Sequence, residues 1–128
     1  IEAAGHRCMA REILKDEADL IAAKLTQWID DPEVDCVITT GGTGITGRDV
    51  TPEAFKRVIE KEIEGFGELF RMLSYDQVGP SAMLSRAVGG VFRGRIIFSL
   101  PGSPAAVRLA WEKLIAPELA HLVWELSR

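Results

Sequence analysis

The apolar and polar positions of this chain follow two patterns, short apolar runs and longer stripes with helical spacing. The runs predict strands at residues 7–14, 34–39, 87–92 and 95–100. The stripes predict helices that begin after Asp16, at Pro52, near Glu68 and at Ala105. Elements in this order are typical of an α/β fold, and 128 residues without a repeat or linker indicate one domain, residues 1–128.

Turn and capping residues refine this order. Gly5 has the character of a C-terminal cap, which predicts a last helical turn at residues 1–5. The first strand, its helix and the strand at 34–39 predict two parallel strands with a right-handed crossover. Arg93-Gly94 predicts a tight hairpin, and Pro117 either kinks the last helix or begins a new one.

Residues 37–49, which read VITTGGTGITGRD, carry the most chemical information. A predicted strand ends in two threonines, and four glycines follow within seven positions before an aspartate. Flexible backbone amides and uncharged hydroxyls suit a phosphate or another oxyanion. Asp49 conflicts with that interpretation because a carboxylate repels phosphate, and a magnesium ion between the two would resolve the conflict. A glycine-rich turn without any ligand is the simpler alternative.

Three candidate loops follow the ends of three predicted strands. Asp16 follows the first strand, residues 40–49 follow the second, and residues 101–104 follow the third. If the strands are parallel, their carboxyl ends lie at one edge of the sheet, where ligands of open α/β folds bind. The sequence therefore predicts that the three loops meet in one site.

Each of these residues also has a purely structural alternative. Asp16 can cap the helix that follows it, with Asp19 completing a capping box. Asp49 can pair with Arg48 or cap a turn. Ser103 can be the N-cap of a helix that starts at the next proline. The aromatic pair Phe66 and Phe70 is expected in the core or in a subunit interface.

Composition narrows the classes of partner. The formal net charge is −4 without a dense basic patch, which argues against nucleic acid. No apolar run approaches the roughly 20 residues of a membrane helix, so no membrane partner is expected. Cys8 and Cys36 lack metal-ligand spacing and are expected to be buried free thiols in a cytoplasmic protein. His6 and His121 are expected to lie at the surface or to fill space, without a catalytic role.

With these residues identified, the chain resembles the MoaB/MogA family of molybdenum cofactor biosynthesis proteins, and within it the MoaB branch. The matching motifs are residues 39–44, 48–54, 64–68, 70–74, 85–87 and 100–104. They occur in order from about Cys8 to the end of the chain. Such an ordered series is far more specific than the glycine loop alone.

The resemblance implies a three-layer α/β/α sandwich around a mostly parallel mixed sheet, assembled as a trimer or a hexamer. It implies binding of molybdopterin and, in the active branch, magnesium-dependent transfer of AMP from ATP to the molybdopterin phosphate. The phosphate would contact Thr39, Thr40, Gly41, Gly42, Thr43, Gly44, Pro101, Gly102 and Ser103. Asp49 and Asp16 match aspartates of the family and are expected to be catalytic and to hold magnesium.

Three functions compete at this point. The first is a molybdopterin adenylyltransferase, which the presence of both aspartates favours. The second is a non-catalytic protein that binds molybdopterin or a precursor, and the third is an assembly subunit among other enzymes of the pathway. The family fold begins with a further strand and a polar loop that are not found before Ile1, so we expect a sheet without its first strand. A complete ATP site is not expected if the protein itself lacks those residues, whereas it is expected if they precede this sequence.

Overall fold

A mixed sheet organises the protein, whose computed structural model describes residues 5–128. The predicted helical turn at residues 1–5 lies, but for Gly5, outside these residues. In the described chain the strands are β1 (Cys36–Thr40), β2 (Lys61–Glu62), β3 (Val88–Phe92) and β4 (Arg95–Leu100), in the spatial order β1-β4-β3-β2. β1 runs parallel to β4, whereas β3 is antiparallel to both β4 and β2.

Helices cover both faces of this sheet. They are α1 (Ala18–Ile29), α2 (Thr51–Val58), α3 (Glu64–Val78), α4 (Pro104–Ala110) and α5 (Ala116–Leu126), with a 3₁₀ segment at Gly79–Leu84 and a π-helical turn at Trp111–Ile115. The π turn joins α4 to α5, and Pro117 lies in the first turn of α5, which is one of the two outcomes its position predicted.

Alternation along β4 explains the three layers. Ile97 points to one face and packs in a cluster with Leu25 of α1 and Phe55 of α2. Ile96 and Phe98 belong to the cluster on the other face, which α3, α4 and α5 complete. Neighbouring residues of a strand point to opposite faces, so one strand serves both cores. The predicted α/β/α sandwich is therefore confirmed.

The aromatic residues Phe66 and Phe70 belong to the core. Phe66 and Phe70 are both buried, and the Phe66 ring packs against Phe98 with 4.8 Å between ring centroids. They are core residues, as the first of the two alternatives expected. α3 is longer than its pattern predicted, because Gly65 and Gly67 are included in the helix.

The strand predicted at residues 7–14 is wrong, because this segment is irregular in the structure. A strand requires a hydrogen-bonding neighbour, and within residues 5–128 β1 pairs only with β4. The parallel crossover unit that the first strand would have formed is therefore absent too. As a result, one of the three strand pairings in the described chain is parallel, rather than most of them.

Local predictions fared better. The hairpin between β3 and β4 turns at Arg93-Gly94, where φ is 50° and 75°, the left-handed conformation of a tight hairpin. α2 begins at Thr51, one residue before the predicted start at Pro52. Cys8 and Cys36 are free and partly buried, and burial, with the neighbouring charge of Asp35, raises the pKa of the Cys36 thiol to about 12.

The remaining surface predictions concern histidine and the membrane. His121 is exposed on α5 beside Glu118, which raises the pKa of the imidazole by a hydrogen bond. His6 packs its ring edge against Trp111 with 5.9 Å between centroids. Among the helices of residues 5–128, none has the length and apolarity to cross a membrane.

Candidate functional site

The loops that follow β1 and β4 meet because these two strands are parallel neighbours in register. Thr40 lies beside Leu100, and the amide of Gly41 extends the ladder by donating to the Leu100 carbonyl at 2.8 Å. Beyond this bond the loops stay in contact, since a Cβ placed on Gly102 would lie 3.3 Å from the Gly41 Cα. The predicted meeting of loops 40–49 and 101–104 is confirmed.

Two glycines turn the chain as it leaves β1. Gly41 and Gly42 have φ values of 92° and 72°, a left-handed conformation that residues with a side chain rarely adopt. At Gly42 a side chain is also excluded by space, because its Cβ would overlap the Thr51 hydroxyl. The Thr51 amide donates to the Gly42 carbonyl at 3.2 Å, which fixes the loop to the start of α2.

In the backbone of this loop, the carbonyl groups are hydrogen-bonded, whereas two N–H groups have no acceptor within residues 5–128. The carbonyls of Gly42, Thr43 and Gly44 accept hydrogen bonds from the Thr51 amide, the Arg86 amide and the Arg86 side chain, respectively. In contrast, the amides of Gly42 and Thr43 have no acceptor among residues 5–128. Thr43 is nevertheless buried. Oriented amides without partners next to glycines are the usual means by which a loop binds an oxyanion.

Asp49 closes the far side of the loop. Its Oδ2 accepts from the Thr46 amide at 2.9 Å and from the Thr46 hydroxyl at 2.6 Å. Donation from the Thr46 hydroxyl is the main reason that the pKa of Asp49 is lowered, and the amides of Thr46 and Gly44 and the charge of Arg86 contribute further. Gly44 leaves room for this carboxylate, since a Cβ there would lie 2.8 Å from Oδ2. Of the two structural alternatives for Asp49, the turn cap is therefore the one observed.

Arg86 is the residue that sequence reasoning missed. Its Nε donates to the Gly44 carbonyl at 2.8 Å and its Nη2 to the Asp49 carbonyl at 2.6 Å, so one side chain ties both ends of the turn. Nη1 forms an ion pair with Glu53 at 2.5 Å, and this arginine lowers the pKa of Glu53. Because Arg86 lies 42 residues from Gly44 in sequence, the only signal was its membership of one matching motif.

Asp16 lies beside the same loop, but in a different opening. It lines a cavity of about 340 Å³ together with Thr39, Thr40, Gly41 and Thr51. Asp49 does not line this cavity. Within residues 5–128 no group of three or more histidine, cysteine or acidic residues is arranged to hold a metal ion. The predicted site is thus brought together at its loops, with the two aspartates on separate walls.

The capping alternative for Asp16 is wrong. The N-cap position of α1 is Glu17, without a side-chain capping bond, and Asp19 pairs instead with Arg57 of α2. The exposed Asp16 carboxylate forms no hydrogen bond within the described chain and is accessible from the cavity. A helix start that lacks its cap leaves the aspartate available for another role.

Two hydroxyls at the base of the loops have no partner. Thr39 and Ser99 lie opposite each other in the β1–β4 register, and in the described chain both hydroxyl oxygens are buried without a hydrogen bond. Thr39 lines the 340 Å³ cavity. Buried polar groups are normally paired, so these two hydroxyls are exceptions within residues 5–128.

The loop after β4 has the predicted N-cap. The Ser103 hydroxyl accepts from the Ala106 amide at 3.2 Å, and Pro104 is the first residue of α4. The capping bond uses the Ser103 hydroxyl oxygen as an acceptor, which leaves its hydrogen free to donate. Pro101 is partly buried, whereas Gly102 and Ser103 are exposed beside Gly41. This loop therefore forms the second wall of the site.

Comparison with known proteins identifies the family. The sequence matches the profile described as "Probable molybdopterin binding domain" over residues 1–121. The chain belongs to this family. It is 52% identical over 129 aligned residues to molybdenum cofactor biosynthesis protein B of Bacillus cereus, covering 100% of this chain and 76% of that protein.

Solved structures agree. A crystal structure of a molybdenum cofactor biosynthesis protein B superposes with a TM-score of 0.96 at 52% identity, covering 99% of this chain and 80% of that one. The tungsten cofactor synthesizing protein MoaB of Pyrococcus furiosus gives 0.83 at 40% identity, covering 91% and 74% of the two chains. The expected MoaB/MogA relationship is confirmed, and this member of the molybdopterin binding domain family is a cofactor biosynthesis protein.

Measurements of the free energy of unfolding test the interactions of Arg86 in this family member. We expect Arg86→Met to lower the free energy of unfolding by about 2 kcal/mol, because it leaves Glu53 and two carbonyls without their donor. Arg57→Met is the matched control, since the ion pair of Arg57 with Asp19 is exposed and worth no more than about 1 kcal/mol. Urea denaturation measures both, and equal losses would contradict the assignment of Arg86.

The hydrogen bonds to Asp49 predict its titration. Because the folded pKa is below the ordinary value, the carboxylate stabilises the turn at neutral pH, and this contribution is lost as the pH falls through the folded pKa. Thr46→Val removes the largest cause and should move the pKa back toward that of an ordinary aspartate. Carbon-13 NMR of the carboxyl group measures the shift, and an unchanged pKa in the variant would refute the assigned cause.

Proposed function

We propose that this chain binds molybdopterin by its phosphate and transfers AMP from ATP to that phosphate. The observation that supports this most directly is that the amides of Gly42 and Thr43 have no acceptor within residues 5–128, in a loop that contacts the loop after the neighbouring parallel strand. A family described as molybdopterin binding supplies the ligand class. The phosphate would rest between residues 40–44 and the Pro101–Ser103 turn.

The chemistry of the step sets what the residues must do. An oxygen of the molybdopterin phosphate forms a bond to the α-phosphorus of ATP, the bond from that phosphorus to the bridging oxygen breaks, and pyrophosphate leaves. Two anions must be held in line, so most of the catalytic effect is positioning and charge compensation. The amides of Gly42 and Thr43 serve the first anion, and Arg86 keeps their loop in shape.

The carboxylates fit a magnesium ion. Asp49 uses Oδ2 to accept both hydrogen bonds from Thr46, so Oδ1 takes no part in those bonds and is a hard oxygen that can bind magnesium. Asp16 offers a second free carboxylate at the mouth of the cavity. Magnesium commonly uses one or two carboxylates together with substrate phosphates and water, so a larger acidic cluster is not required. When bound, it would offset the negative charge of the phosphates.

A pair of variants separates chemistry from loop structure. We expect Asp49→Asn to abolish AMP transfer while molybdopterin still binds, because the carboxylate is lost but the side chain keeps its size. Thr46→Val is the control, since it removes one hydrogen bond to Asp49 and retains the charge; transfer should fall by no more than about tenfold. Pyrophosphate release with ATP, magnesium and molybdopterin measures transfer.

The same experiment tests the alternative, a non-catalytic molybdopterin-binding protein. One observation favours that function: the bonds between Asp49 and Thr46 give the aspartate a structural role without any chemistry. If the unmodified protein binds molybdopterin but releases no pyrophosphate, the alternative is correct. Equal loss of activity in both variants would show that Asp49 acts only through the loop.

We also propose that copies of this chain assemble through α3 and the 3₁₀ segment, as a trimer or a hexamer. This surface exposes a row of large apolar side chains, with exposed fractions of 47% for Leu69, 61% for Met72, 59% for Tyr75, 54% for Val78 and 78% for Met83. Contiguous exposed apolar area on a small domain is typical of an interface between proteins. A cytoplasmic location, which we likewise propose, fits the two free thiols.

Introduction of a negative charge on this surface tests the assembly. Met72→Glu should convert the oligomer to monomers, because burial of an unpaired carboxylate in an interface is strongly unfavourable. Ile13→Glu is the control, since Ile13 is 99% exposed on a distant segment and should leave the mass unchanged. Size-exclusion chromatography with light scattering reads out the mass, and an unmodified protein that is already monomeric would refute the proposal.

A further inference from the structure

Arg86, which binds the glycine loop, also lines a second cavity of about 380 Å³. α2, β2, α3 and the segment before β3 enclose it, and its charged lining consists of Lys56, Arg71, Arg86 and Glu62. Its size is within the range of small-molecule sites. Neither the glycine loop nor Asp16 and Asp49 lines it, so the proposed AMP transfer does not use it.

The charge in this cavity is not balanced. Arg86 is neutralised by Glu53, but within residues 5–128 neither Arg71 nor Lys56 forms an ion pair. Glu62 is the only carboxylate in the lining, and it is exposed on β2. A cluster of cations in a concave site of a chain with net charge −4 creates a local positive potential that favours anions.

Arg71 is held in the cavity but is not satisfied there. It is partly buried, and its Nη1 makes only long contacts of 3.4 and 3.3 Å to the carbonyls of Ser85 and Ala87. In the described chain, Nη2 and Nε of Arg71 have no hydrogen-bond acceptor. A partly desolvated guanidinium normally pairs with a carboxylate or phosphate, often through two parallel hydrogen bonds.

Gly67 makes this position of Arg71 possible. A Cβ on Gly67 would lie 2.9 Å from Arg71 Nη2 and 3.1 Å from the Ala87 carbonyl, so any side chain there would displace the guanidinium. Glycine within a helix costs about 1 kcal/mol relative to alanine. Gly65 lies two residues earlier in α3 and has open space around it, so packing does not require a glycine there.

From these observations we propose that the cavity is a second anion site, in which Arg71 and Lys56 bind the phosphate or carboxylate group of a small molecule. Arg71 supplies paired N–H donors to two oxygens of the group, and Lys56 supplies a second positive charge. Glu62 at the opening weakens binding and selects against highly charged polyanions. The site does not depend on the reaction proposed for the glycine loop.

Titration of the protein with sodium phosphate and, separately, sodium acetate tests the site, with chloride used to keep the ionic strength constant. NMR of the Ala87 and Val88 methyl groups reports on this cavity, and the amides of Gly42 and Thr43 report on the glycine loop. We expect saturable shifts of the methyl groups with at least one of the two anions. Shifts confined to the loop amides, or none at all, would overturn the proposal.

Variants make the assignment specific. Arg71→Gln should weaken anion binding in the cavity by roughly tenfold or more, because loss of a charge-assisted hydrogen bond reduces affinity by about that factor. Glu62→Gln should strengthen it, and Arg108→Gln, an exposed arginine on α4, should leave it unchanged. Equal weakening by Arg71→Gln and Arg108→Gln would mean that only net charge matters and would refute the site.

A glycine pair distinguishes position from charge. Gly67→Ala keeps every charge but displaces Arg71, so it should weaken anion binding nearly as much as Arg71→Gln. Gly65→Ala, in the same helix with free space, should leave binding unchanged. Thermal unfolding of all variants establishes that each is folded. If an oligomer forms and the methyl groups respond to dilution rather than to anions, a neighbouring copy fills the cavity and the proposal fails.

Discussion

Parallel pairing of β1 with β4 is the constraint on which the candidate site depends. The register sets Thr40 beside Leu100, so both strands end at the same level and both following loops begin side by side. The bond from the Gly41 amide to the Leu100 carbonyl continues the ladder by one residue and leaves no gap between the loops. Because register in a sheet can shift only by discrete steps, a misplaced β4 would move residues 101–103 away from Gly41 altogether.

The carbonyl groups of the glycine loop are bound by residues outside the loop. Its carbonyls are occupied by Thr51 and Arg86, and its carboxylate by Thr46, so the groups left free at the turn are N–H donors. This polarity reconciles Asp49 with an oxyanion nearby. One carboxylate oxygen is already neutralised in part by two donors, and the guanidinium of Arg86 lies on the other side of the same turn. Repulsion of a phosphate is correspondingly reduced.

The sequence predicted features whose causes are local. The Ser103 cap and the Arg93-Gly94 hairpin depend on a few adjacent residues, and each has the predicted position. The strand at residues 7–14 failed for the opposite reason, because an apolar alternating run becomes a strand only beside a partner. The sequence did not predict Arg86 as a site residue, because no local pattern links it to Gly44, which lies 42 residues away. Arg71 likewise gains meaning only when Gly67 and Ala87 are seen around it.

Arg86 contacts the glycine loop and also lines the Arg71 cavity, which explains why an arginine is used at this place. A guanidinium has donors on several edges of a rigid plane, so one residue can bind two carbonyls of the loop and a carboxylate of α2 at once. Lysine also has three donors, but they lie on one nitrogen and cannot reach acceptors along several separated edges of a plane. One guanidinium therefore holds the glycine loop, pairs with α2 and forms part of the lining of the Arg71 cavity.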